Sequence, residues 1–215
     1  MSSLLSHIRS PRDLKRLSLP DLDLLASEIR ERIVATVAKN GGHLAPSLGA
    51  VELAIAIHRV FDAPRDKILW DVGHQAYAHK LLTGREKKFP SLRMRGGLSG
   101  FCSPAESEYD AFVSGHSGSA LSAAIGLETA RELGGEEGHV VAVIGDGSLS
   151  NGITLEALNN LRTSCRNLVI ILNDNKMSID RSIGAIPNML NRIITGKTYN
   201  RFKAFAKMLV RRLPS

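Results

Sequence analysis

Three short apolar runs punctuate the chain, "KILW" at 67–70, "VVAVI" at 140–144 and "LVIIL" at 168–172, and each breaks off into small or polar residues. Runs without polar alternation read as strands buried on both faces, as in a parallel sheet. Elsewhere the apolar positions switch to helical spacing. Leu22, Leu25, Ile29, Ile33 and Val37 mark one face of a helix that begins at a cap formed by Ser18 and Asp21 and stops at Asn40, before Gly41 and Gly42. The pattern predicts a second helix from a cap at Ser47 to Phe61 and a third after His74, running through Leu82 and closed by Thr83 and Gly84. A fourth, full of small residues, follows the turn "SGHSGS", and a fifth covers Ile153 to Leu161. Residues 85–110, rich in Gly, Ser and Pro, read as a long loop. Strands alternating with helices give the expected fold class: α/β, a mostly parallel sheet with helices on both faces.

Composition fits one substantial core: 215 residues, 43% hydrophobic and 23% charged. The N-terminal segment lacks the apolar stretch of a secretory signal, and no run is long enough without charge to span a bilayer. A cytoplasmic location is expected, or a plastid one in a plant source, although no transit peptide is seen. Two cysteines, Cys102 and Cys165, suit a reducing compartment and offer no paired zinc-ligand spacing.

The net charge of +7 raises the question of nucleic acid or membrane binding. Seven basic residues and no acidic one lie from Arg192 onward, whereas the preceding 191 residues hold 21 of each sign. The excess therefore belongs to the tail. There Phe202, Phe205, Ala206, Leu209 and Leu213 recur at helical spacing, which suits a helix lying on a charged surface or one packing its stripe on the protein. No nucleic-acid or membrane partner is expected.

Chemistry concentrates at two strand ends, "GDGS" at 145–148 and "NDN" at 173–175. In a parallel sheet, ligands sit beyond the carboxyl ends of the strands. Gly145 and Gly147 let backbone approach a bulky anion, and Asp146 between them would repel phosphate unless a hard cation bridged the two. Asn173 and Asn175 offer neutral oxygen ligands of the same hardness. One helix and one return strand separate the two motifs, so both can reach a single ion.

This pair resembles the diphosphate and metal motif of thiamine diphosphate enzymes. "GGHLAPSLGAVELAIAIHRVFDAPRDKILWDVGHQAYAHKLLTGR", "GGLSGF", "ESEYD" and "SGHSGSALSAAIG" are together similar to the 1-deoxy-D-xylulose-5-phosphate synthase family over most of residues 14–199. The resemblance implies thiamine diphosphate and Mg²⁺, or Mn²⁺, as cofactors. Asp146, Asn175 and the carbonyl of Met177 would bind the metal. His74, His116, Ser117, Gly145, Gly147, Ser148 and Asn175 would bind the cofactor, with Ser117 and Ser119 either donating to phosphate or capping the helix.

His43 and His74 would act catalytically, moving protons near the reactive carbon. Pyruvate and D-glyceraldehyde 3-phosphate are the implied substrates, and a homodimer the implied assembly. Ser148 stands where the family usually has Ala, "LRTSCRN" departs from the usual continuation after "EALNN", and "IDRSIGAI" places Arg181 near the cofactor entrance. Members of the family are far longer. The chain is thus expected to be a diphosphate-binding domain incomplete at its C-terminal end, without the pyrimidine-binding and C-terminal domains, and inactive and prone to association by itself. A subunit of a split enzyme and a non-catalytic cofactor-binding protein are the alternatives.

Overall fold

Ser18 begins the first helix as its sequence predicts. Its hydroxyl accepts from the Asp21 amide while the Asp21 carboxylate accepts from the Ser18 amide, and α1 then runs Leu19–Asn40 until Gly41. The computed structural model describes residues 3–113, 115–161 and 165–173, all within the first of two compact units, Met1–Lys176. Asn175, Met177, Arg181 and the basic tail lie outside the described residues.

The segment after α1 departs from expectation. Instead of one helix capped by Ser47, two form, α2 (Leu44–Gly49) and α3 (Val51–Val60), with a break at Ala50. Ser47 lies inside α2, fully buried, and its hydroxyl donates 2.8 Å to the carbonyl of His74. A long-range acceptor has taken the hydroxyl that local sequence would have assigned to a cap.

β1 (Lys67–Trp70) follows, then α4 (Tyr77–Lys80), which runs on through a wide turn at Leu81–Arg85 where Gly84 takes φ +81°. α5 (Ser119–Gly134), β2 (Val140–Gly145), the single-turn α6 (Asp146–Leu149), α7 (Gly152–Asn159) and β3 (Leu168–Asn173) follow in order among the described residues. The three strands form a parallel sheet in the order β1-β2-β3, with Lys67 opposite Val140 and Gly145 opposite Asn173. No helix among the described residues is long and apolar enough to cross a membrane.

Alternation along the strands sorts their side chains into two cores. Ile68, Trp70, Val141 and Val143 face a cluster built with α1, α3 and α4, while Leu69, Val140 and Ala142 face Ala120, Leu121 and Ala124 of α5 and Ala157 of α7. Small residues on α5 let that helix lie close to the sheet, and Leu121, wholly buried, contributes about 1.5–3 kcal/mol by the usual transfer scale. β3 is only half-buried, with Leu172 exposed. The carboxyl ends of β1, β2 and β3 thus lie side by side along one edge.

Candidate functional site

Each strand end leads into a turn that carries polar groups. After β1 the chain turns sharply at Val72 (φ +59°) and Gly73 and presents His74 and Gln75. After β2, Asp146 opens α6, half-buried, with open space beside Gly147. At the end of β3, Asn173 sits opposite Gly145, and its side-chain amide donates 2.6 Å to Gln75 Oε1. That bond ties the first strand end to the third across the second.

The turn before α5 joins the same edge. Ser117 and Ser148 hydroxyls are 2.9 Å apart, Asn151 Nδ2 donates 2.9 Å to the Ser117 carbonyl, and Gly118 and Ala120 amides donate to the buried Asp71 carboxylate. Gly118 is required there: at φ +92°, an added Cβ would lie 2.8 Å from Asn151 Cγ. His116 and Ser117 are exposed, and Ser148 is buried.

His43 comes from the other side, on the turn between α1 and α2. Its amide donates 3.4 Å to Tyr77 Oη, and its ring meets that of His74 edge to face, centroids 5.8 Å apart, with Phe101 at 6.1 Å. The Nδ1 atoms of both histidines are buried without a protein partner. Burial lowers the pKa of His43, helped by the nearby Arg93 cation; burial also lowers His74, helped by His43 and opposed by Asp71. Both rings are therefore biased toward the neutral form, able to accept or relay a proton.

The structure thus brings together His43 with His74, Ser117 with Ser148, and Asp146 with the end of β3. Asn175 and Met177 fall outside the described residues. Sequence reasoning missed Asp71, Gln75 and Asn151, although Asp71 and Gln75 flank His74 in "DVGHQ" and the strand-end position alone could have flagged them.

The 85–110 segment that delivers Phe101 is held by a buried polar cluster. Asp110 accepts from His79 Nε2 (2.9 Å), from both terminal nitrogens of Arg85 (2.8 Å each) and from the Ser103 amide (2.9 Å). Glu106 accepts from Lys80, from Arg85 (2.9 Å) and from the Ser99 amide (2.7 Å), and His58 Nε2 lies 2.8 Å from His79 Nδ1. A stretch that composition reads as a loose loop is pinned from inside by charges.

Burial holds His58 well below its ordinary value, with His79, Arg85 and Lys15 adding to the effect; burial lowers His79 too, although Asp110 opposes it. The unfolded chain takes up these protons near 6.5 while the folded chain resists them, so the associated stability is complete above that pH and is lost below it. The urea midpoint is expected to fall as pH drops from about 7 to about 5, at up to about 1.4 kcal/mol per pH unit for each imidazole. His58→Gln should flatten that slope, and an unchanged slope would show that His58 does not contribute.

The family model described as 1-deoxy-D-xylulose-5-phosphate synthase matches residues 5–215. Proteins named 1-deoxy-D-xylulose-5-phosphate synthase from Syntrophomonas wolfei and Heliobacterium modesticaldum are each 53% identical over the whole chain, covering 34% and 33% of those proteins. One named 1-deoxy-D-xylulose-5-phosphate synthase 1 from Geobacter metallireducens is 54% identical over 94% of the chain and 32% of its own length. The chain therefore spans about a third of the length of the curated relatives it matches. Among solved structures, transketolase from Leishmania mexicana shares the fold, with a TM-score of 0.68 at 19% identity over 79% of this chain and 30% of that one. On the strength of the family model and of relatives matched along its whole length, the chain belongs to the 1-deoxy-D-xylulose-5-phosphate synthase family.

Proposed function

We propose that this chain carries the diphosphate and metal side of a thiamine diphosphate site, in an enzyme that condenses pyruvate with D-glyceraldehyde 3-phosphate, with loss of CO₂, to 1-deoxy-D-xylulose 5-phosphate. The observation that carries this reading is the arrangement of the sheet edge: Asp146 leaves β2 one residue beyond the Gly145–Asn173 pair, beside open space at Gly147, while the turn after the neighbouring strand β1 carries His74, edge to face with His43.

The residues present fit the cofactor. The bare, buried Nδ1 atoms of His43 and His74 need a polar partner, since burial without one is costly. Asp146 is a hard oxygen donor suited to Mg²⁺, with Mn²⁺ as a substitute, and Asn175 and the Met177 carbonyl would complete the protein ligands. When bound, thiamine diphosphate supplies a nucleophilic carbon and an electron sink for decarboxylation.

The chain's own contribution is binding and proton handling. Ser117 and Ser148 hold each other and can offer a hydroxyl hydrogen to a phosphate oxygen. The Gly118 and Ala120 amides, occupied by Asp71, are not free for that purpose, and the Ser119 hydroxyl is directed at the His116 carbonyl (3.4 Å) rather than capping α5, which leaves His116 and Ser117 as side-chain donors from this turn. His43 and His74 would hold or move a proton at substrate oxygens through Nδ1 or Nε2. A dimer and a cytoplasmic location go with this reading.

The test is a chimera in which this chain replaces the matching third of the Syntrophomonas wolfei relative. It is expected to form 1-deoxy-D-xylulose 5-phosphate and CO₂ only with thiamine diphosphate and a divalent cation, and His74→Ala should lower turnover by about 10²–10⁴-fold. A folded chimera that binds the cofactor yet releases no CO₂ from pyruvate would sink the proposal.

A further inference from the structure

Asp71 is 1% exposed and is the first residue beyond β1. Its amide donates 2.8 Å to the Val143 carbonyl, so the residue is still fixed to β2. Its carboxylate accepts from the Gly118 amide at 3.0 Å through either oxygen and from the Ala120 amide at 3.2 Å. These are amides at the start of α5, which no side chain of its own cap position satisfies. A residue 47 positions away along the chain does so instead. Its negative charge also meets the positive end of the helix dipole.

The other side of Asp71 is equally constrained. The next residue, Val72, holds φ +59°, a conformation poorly suited to a β-branched side chain. The Gly73 amide folds back 2.6 Å onto the Asp71 carbonyl, and the Ala76 amide donates 3.2 Å to the Gly73 carbonyl. Two residues on, the His74 carbonyl is gripped by the Ser47 hydroxyl. The turn carrying His74 is therefore clamped at its start by Asp71 and at its far side by Ser47, and such an unfavourable backbone persists only where its surroundings over-determine it.

We propose that Asp71 is a positioning residue, which locks the His74 turn to the His116–Ser117 turn so that both face the same ligand at a fixed separation. It touches neither cofactor nor substrate itself. The proposal rests on the thiamine diphosphate reading for its ligand, although the coupling of the two turns stands independently of it. A plain helix cap would stabilise α5 and leave the site's binding geometry unaffected.

The experiment compares the 215-residue chain with Asp71→Asn, which keeps the size of the side chain and one acceptor but removes the charge. Thiamine diphosphate affinity is measured by calorimetry with Mg²⁺ present. Ile29→Val and Ile29→Ala, core substitutions in α1, bracket the loss of stability. Asp71→Asn is expected to bind about ten- to a hundredfold more weakly, as happens when the support behind a ligand-binding group is removed, while the Ile29 variants bind as the parent does. Affinity within about twofold of the parent, or a loss reproduced by Ile29 variants of equal stability, would reduce Asp71 to a cap.

Native-state hydrogen exchange of the unsubstituted chain needs neither a folded variant nor a bound ligand. The Gly118 and Ala120 amides are expected to open together with those of Gly73 and Ala76, through one cooperative event. Independent, much faster opening at Gly118 and Ala120 would overturn the coupling. If the parent chain binds no thiamine diphosphate, the same affinity comparison is made in the chimera that tests the functional reading, whose own failure to bind would sink that reading, and the exchange result still decides the role of Asp71.

Discussion

Asp110→Ala is expected to lower the unfolding free energy by about 3–5 kcal/mol, the range seen when one partner of a buried ion pair is removed. Asp110 is 2% exposed and faces His79, Arg85 and the Ser103 amide. Burial by itself would raise its carboxyl pKa, but hydrogen bonds from His79 and Arg85 hold it well below the ordinary carboxylate range. Without it, the Arg85 and Lys80 cations are left beneath the core with Glu106 as the remaining carboxylate contact of both. Two buried positive charges facing one carboxylate cost far more than the lost hydrogen bonds alone.

Urea unfolding of the two proteins measures this directly. Asp62→Ala is the matched control, because Asp62 is exposed and its pairing with the half-buried Lys15 at 3.1 Å should shift stability by no more than about 1 kcal/mol. Should both substitutions cost the same, the cluster is better solvated than its burial indicates. The sign for pH agrees: stability supplied by Asp110 is present above 3.8 and is lost as pH falls below it. This loss follows at lower pH the one expected from His58 and His79.

Asp146→Ala is expected to weaken Mg²⁺-dependent thiamine diphosphate binding by about a hundredfold or more, equivalent to roughly 2.7 kcal/mol. If the proposed site is correct, the substitution removes both the charge and a direct oxygen ligand, so that the cation is held by neutral groups and phosphate alone. Calorimetry with Mg²⁺ and then with chelator separates the contributions: the parent should lose affinity on chelation, and the variant should show little further loss. Asp146→Asn, with its amide oxygen, should fall between them. Because Asp146 is half-buried at the end of β2 and pairs with no strand partner, its replacement should leave the unfolding transition nearly unchanged. Equal cofactor affinity in parent and Asp146→Ala would remove this residue from the metal site.

Much of the fold is legible locally. The Ser18–Asp21 cap, the stripe from Leu25 to Val37 and the break at Gly41 need only neighbours within one helix, and all three form as their spacing predicts. The three apolar runs become parallel strands, and for β1 and β2 the absence of polar alternation matches burial on both faces, whereas β3 is only half-buried. Ser47 and the 85–110 segment escape such reading for a shared reason. A hydroxyl or carboxylate takes whichever donor or acceptor the tertiary fold brings to it, and for Ser47, Glu106 and Asp110 that partner lies 7 to 31 positions away.

The site divides along the same line. Sequence by itself determined the family and singled out the strand-end motif with Asp146 and the three motif histidines as candidates, since these depend on residue type and spacing within short stretches. Only the tertiary structure decided that His43 and His74 meet edge to face, that Gln75 reaches Asn173 across the sheet, and that Asp71 binds the first amides of α5. Hydrophobic patterning is set by a residue's own chain neighbours, whereas hydrogen bonds and charge pairs depend on distance in space, which is fixed once strands and helices have packed.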